Sequence, residues 1–286
     1  DSMLQTIKSN VKETQAVLKS FTEPLMMDRN PTKTYNIDQS QEMLKKSITT
    51  RYAVIQKGGE LIHQHLEDSN KVLKVKRGNE QWRKYVDYVN QIVVDGLCEV
   101  SLATCRYFRN QIDEKYLIDQ EISPLLEIQL KLAPPTATFT PSMGRQAGGD
   151  GLRDIVDSWL TSFVNVATLV NRIDTPEEDG DYLLDMQESI SVRHIISAIN
   201  KKVNLSEVKC EEFRLQFMAY SYLWTDDIQE KFNEWKDENA DTDPEVLDKD
   251  PPLAAFDAQI LKYKALEEEV RELPTTKTIG WIKIDA

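Results

Sequence analysis

A chain of 286 residues with 35 Lys and Arg against 48 Asp and Glu carries a net charge of −13. Phosphate binding needs a basic face, so that balance excludes nucleic acid and anionic membrane as partners. No apolar run approaches the roughly 20 residues of a membrane span, and the opening Asp-Ser-Met-Leu-Gln-Thr lacks the basic head and apolar core of a secretory signal.

Residues 3–22 place Leu4, Ile7, Val11, Val17, Leu18 and Phe21 at helical spacing, and Pro24 ends that helix. Glu23 to Ile37, with Asn30 and Pro31, reads as a loop, and Asp38 is a fair N-cap for the next helix. From Ile48 the steps alternate four and three: Ile48, Tyr52, Ile55, Gly59, Ile62, Leu66, Ser69, Leu73. After Lys76-Arg77-Gly78-Asn79 the rhythm restarts with Trp82, Val86, Val89, Val93, Gly96, Val100, Ala103 and Tyr107. Such stripes predict two long helices, folded at the Gly78 break into an antiparallel hairpin over 38–112. At ~1.5 Å per residue each arm is about 45–50 Å long.

Folding the second run onto the first pairs Ile55 with Val100, Ile62 with Val93, Leu66 with Val89, and Gly59 with Gly96. The glycine level admits two readings: a waist where the arms touch or a third helix crosses, and a kink at Gly58-Gly59. Cys98 and Cys105 lie on one face of the second arm, too far apart for a disulfide; with Cys210 they suit small buried hydrophobes in a reducing compartment.

Asn110 to Ser123 is a break, after which Leu126-Glu-Ile128-Gln-Leu130-Lys-Leu132 alternates with the period of a half-buried strand. Pro134-Pro135 interrupts it, Thr136 to Thr140 is β-rich again, and Ile279-Gly-Trp281-Ile282-Lys-Ile284 is the candidate third strand. Pro141 to Gly151 is glycine-rich, but Leu152-Arg153 follows its last glycine where a P-loop needs Lys and Ser or Thr, so it reads as a mobile linker.

Leu152 to Ile173 predicts a helix buried nearly all round, Asp181 to about Asn200 another, and Ser206 caps a third. That third helix carries Phe213, Phe217, Tyr220, Trp224, Ile228, Phe232 and Trp235, either core or a partner-binding face; Trp224 and Trp235 on it, and Trp281 in the C-terminal stretch, are the interaction candidates. Asp226 to Asp250 holds eleven acids and three lysines. Asp237, Asn239, Asp241, Asp243 and Asp248 fall in the frame of a calcium loop, but Thr242 replaces the required glycine and Asp248 the bidentate Glu, leaving a solvated acidic loop. Pro252 to Leu273 is a last helix with Phe256, Ile260, Tyr263, Leu266, Val270 and Leu273 inward.

Site chemistry is thin. His63 and His65 point to different sides of a helix, His194 stands alone, and no local triad or metal set is suggested. The expectation is a non-catalytic chain with no cofactor and no metal. Its fold class is mainly α, an elongated helical bundle with a long antiparallel hairpin and a small β-hairpin or three-stranded element. Three units follow: residues 1–120, residues 121–143 with 279–285, and residues 150–274 with an acidic loop at 237–251.

The C-terminal stretch from Phe256 through Leu273-Pro274 to Gly280-Trp281-Ile-Lys-Ile-Asp285 resembles the tail of dynein heavy chains just before the linker, most closely the axonemal members. Pro124-Leu-Leu-Glu-Ile-Gln-Leu with Phe139-Thr-Pro-Ser142, the Trp82 helix and Tyr220-Ser-Tyr-Leu-Trp224 agree in order. The resemblance covers about residues 80–286 and implies a structural piece of a far longer microtubule motor, in the cytoplasm and the axoneme of a cilium or flagellum. Implied partners are other heavy chains, intermediate and light chains, and axonemal docking components; the motor's ATPase motifs do not occur here. The alternatives are a cytosolic helical adaptor unrelated to motors and an acidic metal-dependent enzyme built on Asp237–Asp248.

Overall fold

The computed structural model describes residues 2–173, 180–238 and 252–286. Helix α1 (Ser2–Phe21) precedes two long helices, α2 (Ile37–Leu73) and α3 (Glu80–Gln111). At ~1.5 Å rise per residue they are about 55 and 48 Å long. Asn36, not Asp38, caps α2: its backbone is extended and its Oδ1 accepts from Gln39 N at 2.9 Å. Asp38 is the second residue of the first turn, where a carboxylate meets the positive end of the helix dipole. Lys74 closes α2 in a left-handed conformation with its N–H on Asn70 O, and Asn79 Oδ1 then caps α3 through Gln81 N and Trp82 N.

The hairpin forms, but its seam is not closed arm on arm. Helix α1 packs along both α2 and α3, and the 3-10 turn Asn165–Leu169 touches both as well. The break expected after Asn110 contains a short helix, α4 (Glu114–Asp119), capped by Asp113 Oδ1 on Tyr116 N at 3.0 Å.

Strands β1 (Leu126–Ala133) and β2 (Thr136–Thr140) form the expected antiparallel pair, with Leu130 opposite Phe139. The C-terminal stretch adds two strands rather than one. β3 (Thr276–Ile279) and β4 (Ile282–Asp285) are antiparallel around Gly280-Trp281, and β4 runs parallel to β1 with Leu126 opposite Ile282. The sheet order is β2-β1-β4-β3. Gly280 has φ +57 while Trp281 does not have positive φ, the pattern of a type II′ turn with glycine first. Tyr35, in the loop after α1, bridges to the sheet by its N–H on Leu125 O and its carbonyl accepting from Glu127 N.

Helix α5 (Leu152–Val164) is shorter than its apolar run, which continues as the 3-10 turn. It is not buried all round, since Ser158 and Thr161 are exposed. Helix α6 (Leu183–Glu188) is followed by α7 (Ile190–Met218), which passes through Asn200 and Ser206 without interruption. Ser206 is therefore no cap. It lies buried inside α7, donating to Lys202 O, and its hydroxyl receives the Trp281 indole N–H at 2.9 Å. The aromatic stripe breaks at Met218 into α7, α8 (Tyr222–Thr225) and α9 (Ile228–Glu238). In α10 (Pro252–Arg271) the inward assignment of Ile260 and Tyr263 is overturned, for they are 46% and 57% exposed; Leu266, Val270 and Leu273 are half-buried. The side chain of Phe256 lies outside the described ones. One buried apolar cluster runs from Leu18 through both arms, the sheet and α5–α7 to Ile284.

Candidate functional site

The feature with the most convergent chemistry is the space between the two arms. Ile55, Ile62 and Leu66 of α2 and Val89, Val93 and Val100 of α3 are all buried in one cluster, as their spacing predicts. Gly59 and Gly96 do not meet. A Cβ on Gly59 would stand 2.9 Å from the Val170 methyls, and one on Gly96 would stand 2.9 Å from Leu18 Cδ2. Gly58 is tighter still, with Phe21 Cε1 at 2.4 Å from the position of a Cβ. The glycines thus admit a third helix, α1, at Gly58 and Gly96, and the segment after the 3-10 turn at Gly59. A heptad stripe fixes which face is buried but not what covers it; here the facing elements are inserted between the arms.

Polar staples hold these inserted elements, and sequence reasoning missed them. Arg51, 4% exposed, donates from Nη2 to Ser20 O at 3.0 Å and Phe21 O at 2.6 Å, closing the C-terminus of α1. Asn10 on α1 bonds to Ser69 and, at 3.1 Å, to His65 O on α2. Tyr52 donates its hydroxyl to Ser162 O on α5, and burial pushes its pKa up to about 12. Asn90 is the densest node: its amide donates to Ile173 O at 3.3 Å, while its Oδ1 accepts from Ile173 N at 3.2 Å and Tyr182 OH at 2.6 Å. An Asn one helical turn from apolar Val86 and Val93, and so on their buried face, is the one signal that could have pointed to it.

Of the aromatic anchors, Trp281 is fully buried on Ser206, and Trp224 is half-buried with its indole N–H on Pro135 O at 3.1 Å. The Trp235 side chain lies outside the described ones, as does the calcium frame from Asn239 to Asp248. Among the described residues no group of three His, Cys, Asp or Glu is placed to hold a metal. Burial raises the thiols of Cys105 and Cys210 to about 12. At pH 7 such thiols are protonated and poor nucleophiles.

The glycine-rich loop is tied down rather than loose. Asp154 Oδ2 accepts from Gln146 N at 2.7 Å and Gly151 N at 3.2 Å, and Arg145 pairs with Asp157 at 2.6 Å. A Cβ on Gly151 would fall 1.9 Å from Gly144 O, so the two ends of the loop touch backbone to backbone. Among the described residues no helix is long and apolar enough to cross a membrane.

Side chains therefore converge here to hold long helices in a fixed relation, and the class of protein they define is a mainly α helical bundle with a small closing sheet. No protein-family model matches the chain. Over all 286 residues it is 37% identical to a protein named dynein beta chain, flagellar outer arm, of Chlamydomonas reinhardtii. It is 25% identical, over its full length, to the ciliary dynein beta chain of Heliocidaris crassispina. Over 99% of its length it is 24% identical to human dynein axonemal heavy chain 17. The chain spans about 6% of the length of these relatives. It belongs to the axonemal dynein heavy chains, as a segment homologous along its whole length to one portion of them.

Proposed function

We propose that the chain is a non-catalytic stem segment of an axonemal dynein heavy chain, lying before the linker. It relays force between the subunit-assembly base and the motor head in microtubule-based ciliary and flagellar motility. On this reading it sits in the axoneme beside other heavy chains, intermediate chains, light chains and docking components. The observation that carries the reading is the continuous buried core from Leu18 to Ile284, which joins the two arms, the sheet and α5–α7. A relay must resist bending, and close packing with cross-helix staples supplies that resistance. The Leu273-Pro274 to Gly280-Trp281 to Asp285 pattern supports the position before the linker.

Cryo-electron microscopy of intact axonemal arms tests the placement. Density for the α2–α3 pair is expected between the assembly base and the linker; density within the ATPase ring or stalk would refute it. Motor-like ATP turnover by residues 1–286 alone would refute the non-catalytic part.

A further inference from the structure

The loop between α1 and α2 and the first half of α2 enclose a cleft of about 510 Å³. Three cations line it: Arg51 at one wall, and Lys33 and Lys46 nearer the opening. Among the described residues none of the three pairs with a carboxylate, although the chain carries a surplus of thirteen negative charges. Arg51 spends only Nη2 on the end of α1. Its Nε is buried without a partner. A guanidinium fixed at one nitrogen and partly stripped of water holds its remaining donors ready for an anion. Leu25 and Met43 add an apolar wall beside the cations.

We propose that this cleft docks an acidic segment of a partner protein, with a carboxylate received by Arg51 and the two lysines and an adjoining apolar side chain lying on Leu25 and Met43. Asp28 and Glu42 also line the opening, and both are exposed and outside any ion pair of the described residues. Exposed carboxylates are well hydrated and screened, so the buried cation dominates what binds deeper, while the rim acids disfavour a densely charged anion such as free phosphate. The cleft has the volume of ordinary small-ligand sites, enough for a few side chains and far below a helix-sized groove. The inference does not depend on where in a heavy chain the segment lies.

The test is fluorescence anisotropy of a short labelled peptide of Glu, Leu and Ser titrated with residues 1–286, against the same peptide with Gln for Glu. Saturable binding is expected, weakened at least about tenfold by the Gln peptide and by Lys46→Glu, an exposed substitution that leaves the core alone. Equal binding of the Gln peptide, indifference to Lys46→Glu, or full displacement by equimolar inorganic phosphate would overturn it. So would self-association of the chain that Lys46→Glu abolishes, since that assigns the cleft to a second copy. Zero-length carbodiimide coupling in the intact assembly provides a readout that needs no isolated chain: Lys33 and Lys46 should join to Asp or Glu of another protein. Coupling of those lysines only within their own chain, while other lysines of the chain couple outward, would sink the proposal.

Discussion

Helices α3 and α10 both repeat apolar residues at helical spacing, yet they end in opposite situations. Val86, Val89, Val93, Leu97 and Val100 of α3 are all buried. On α10, Ile260, Leu261 and Tyr263 are exposed, and its described tie to α7–α8 is the Tyr220 hydroxyl at 3.5 Å from Glu269. The difference is that α1, the 3-10 turn, α5 and α7 all return to α3. Periodicity records the capacity of a helix to bury a face; long-range chain return decides whether it does so.

The comparison can be broken most forcefully at the sheet. Trp281→Ala removes a fully buried ring and strands Ser206, and should destabilise the chain by about 3–5 kcal/mol in chemical denaturation. A smaller loss would mean that the C-terminal strands are peripheral to the core. Next, Gly96→Leu should cost about 1–3 kcal/mol by overpacking against Leu18, and Leu18→Ala in the same chain should recover part of it. Absence of recovery would return the contact to the opposing arm.

Tyr182→Phe takes one bond from the Asn90 node and should cost about 0.5–1.5 kcal/mol, with melting temperature as the readout. The Lys202 ammonium, through its bond and charge, holds the Asp113 carboxyl below its ordinary value, helped by Tyr116 N–H. A depressed carboxylate contributes stability above its unfolded pKa, near 4, and loses it as pH falls through the lower folded value. Melts across that acid window should therefore be flatter for Lys202→Met than for the native chain. At the small end, Ile260→Ser and Tyr263→Ser should change stability by less than about 0.5 kcal/mol, because both side chains already face water. A loss as large as that of Gly96→Leu would show α10 to be packed after all.

Local pattern made the arms legible because 3.6-residue periodicity and polar breaks act over a few residues. The same holds for β1 and β2, whose alternation matches the pleat. It could not make legible the insertion of Leu18 and Val170 between the arms, since those contacts join residues far apart in sequence. Ser206 resembles a cap by type, but inside α7 its hydroxyl bonds Lys202 O, so only the approach of Trp281 reveals its use. Thr276 to Ile279 was hidden by reading Gly280-Trp281 as strand, though a glycine before an alternating run is a turn signal. Asn90 and Arg51 were lost because a buried polar residue interrupts a stripe instead of belonging to it.

Strand β4 pairs with β1 in parallel, and the Glu127–Lys283 ion pair joins residues 156 positions apart. On a ribosome adding about 5–20 residues each second, β1 emerges about 8–30 s before the strand that covers its edge. Throughout that interval Leu126 and Ile128 sit beside an open row of backbone donors and acceptors. A nascent chain of this kind needs a holding factor or an early-binding neighbour, and slowing translation between β2 and α10 should enlarge the aggregated fraction more than slowing it after β4.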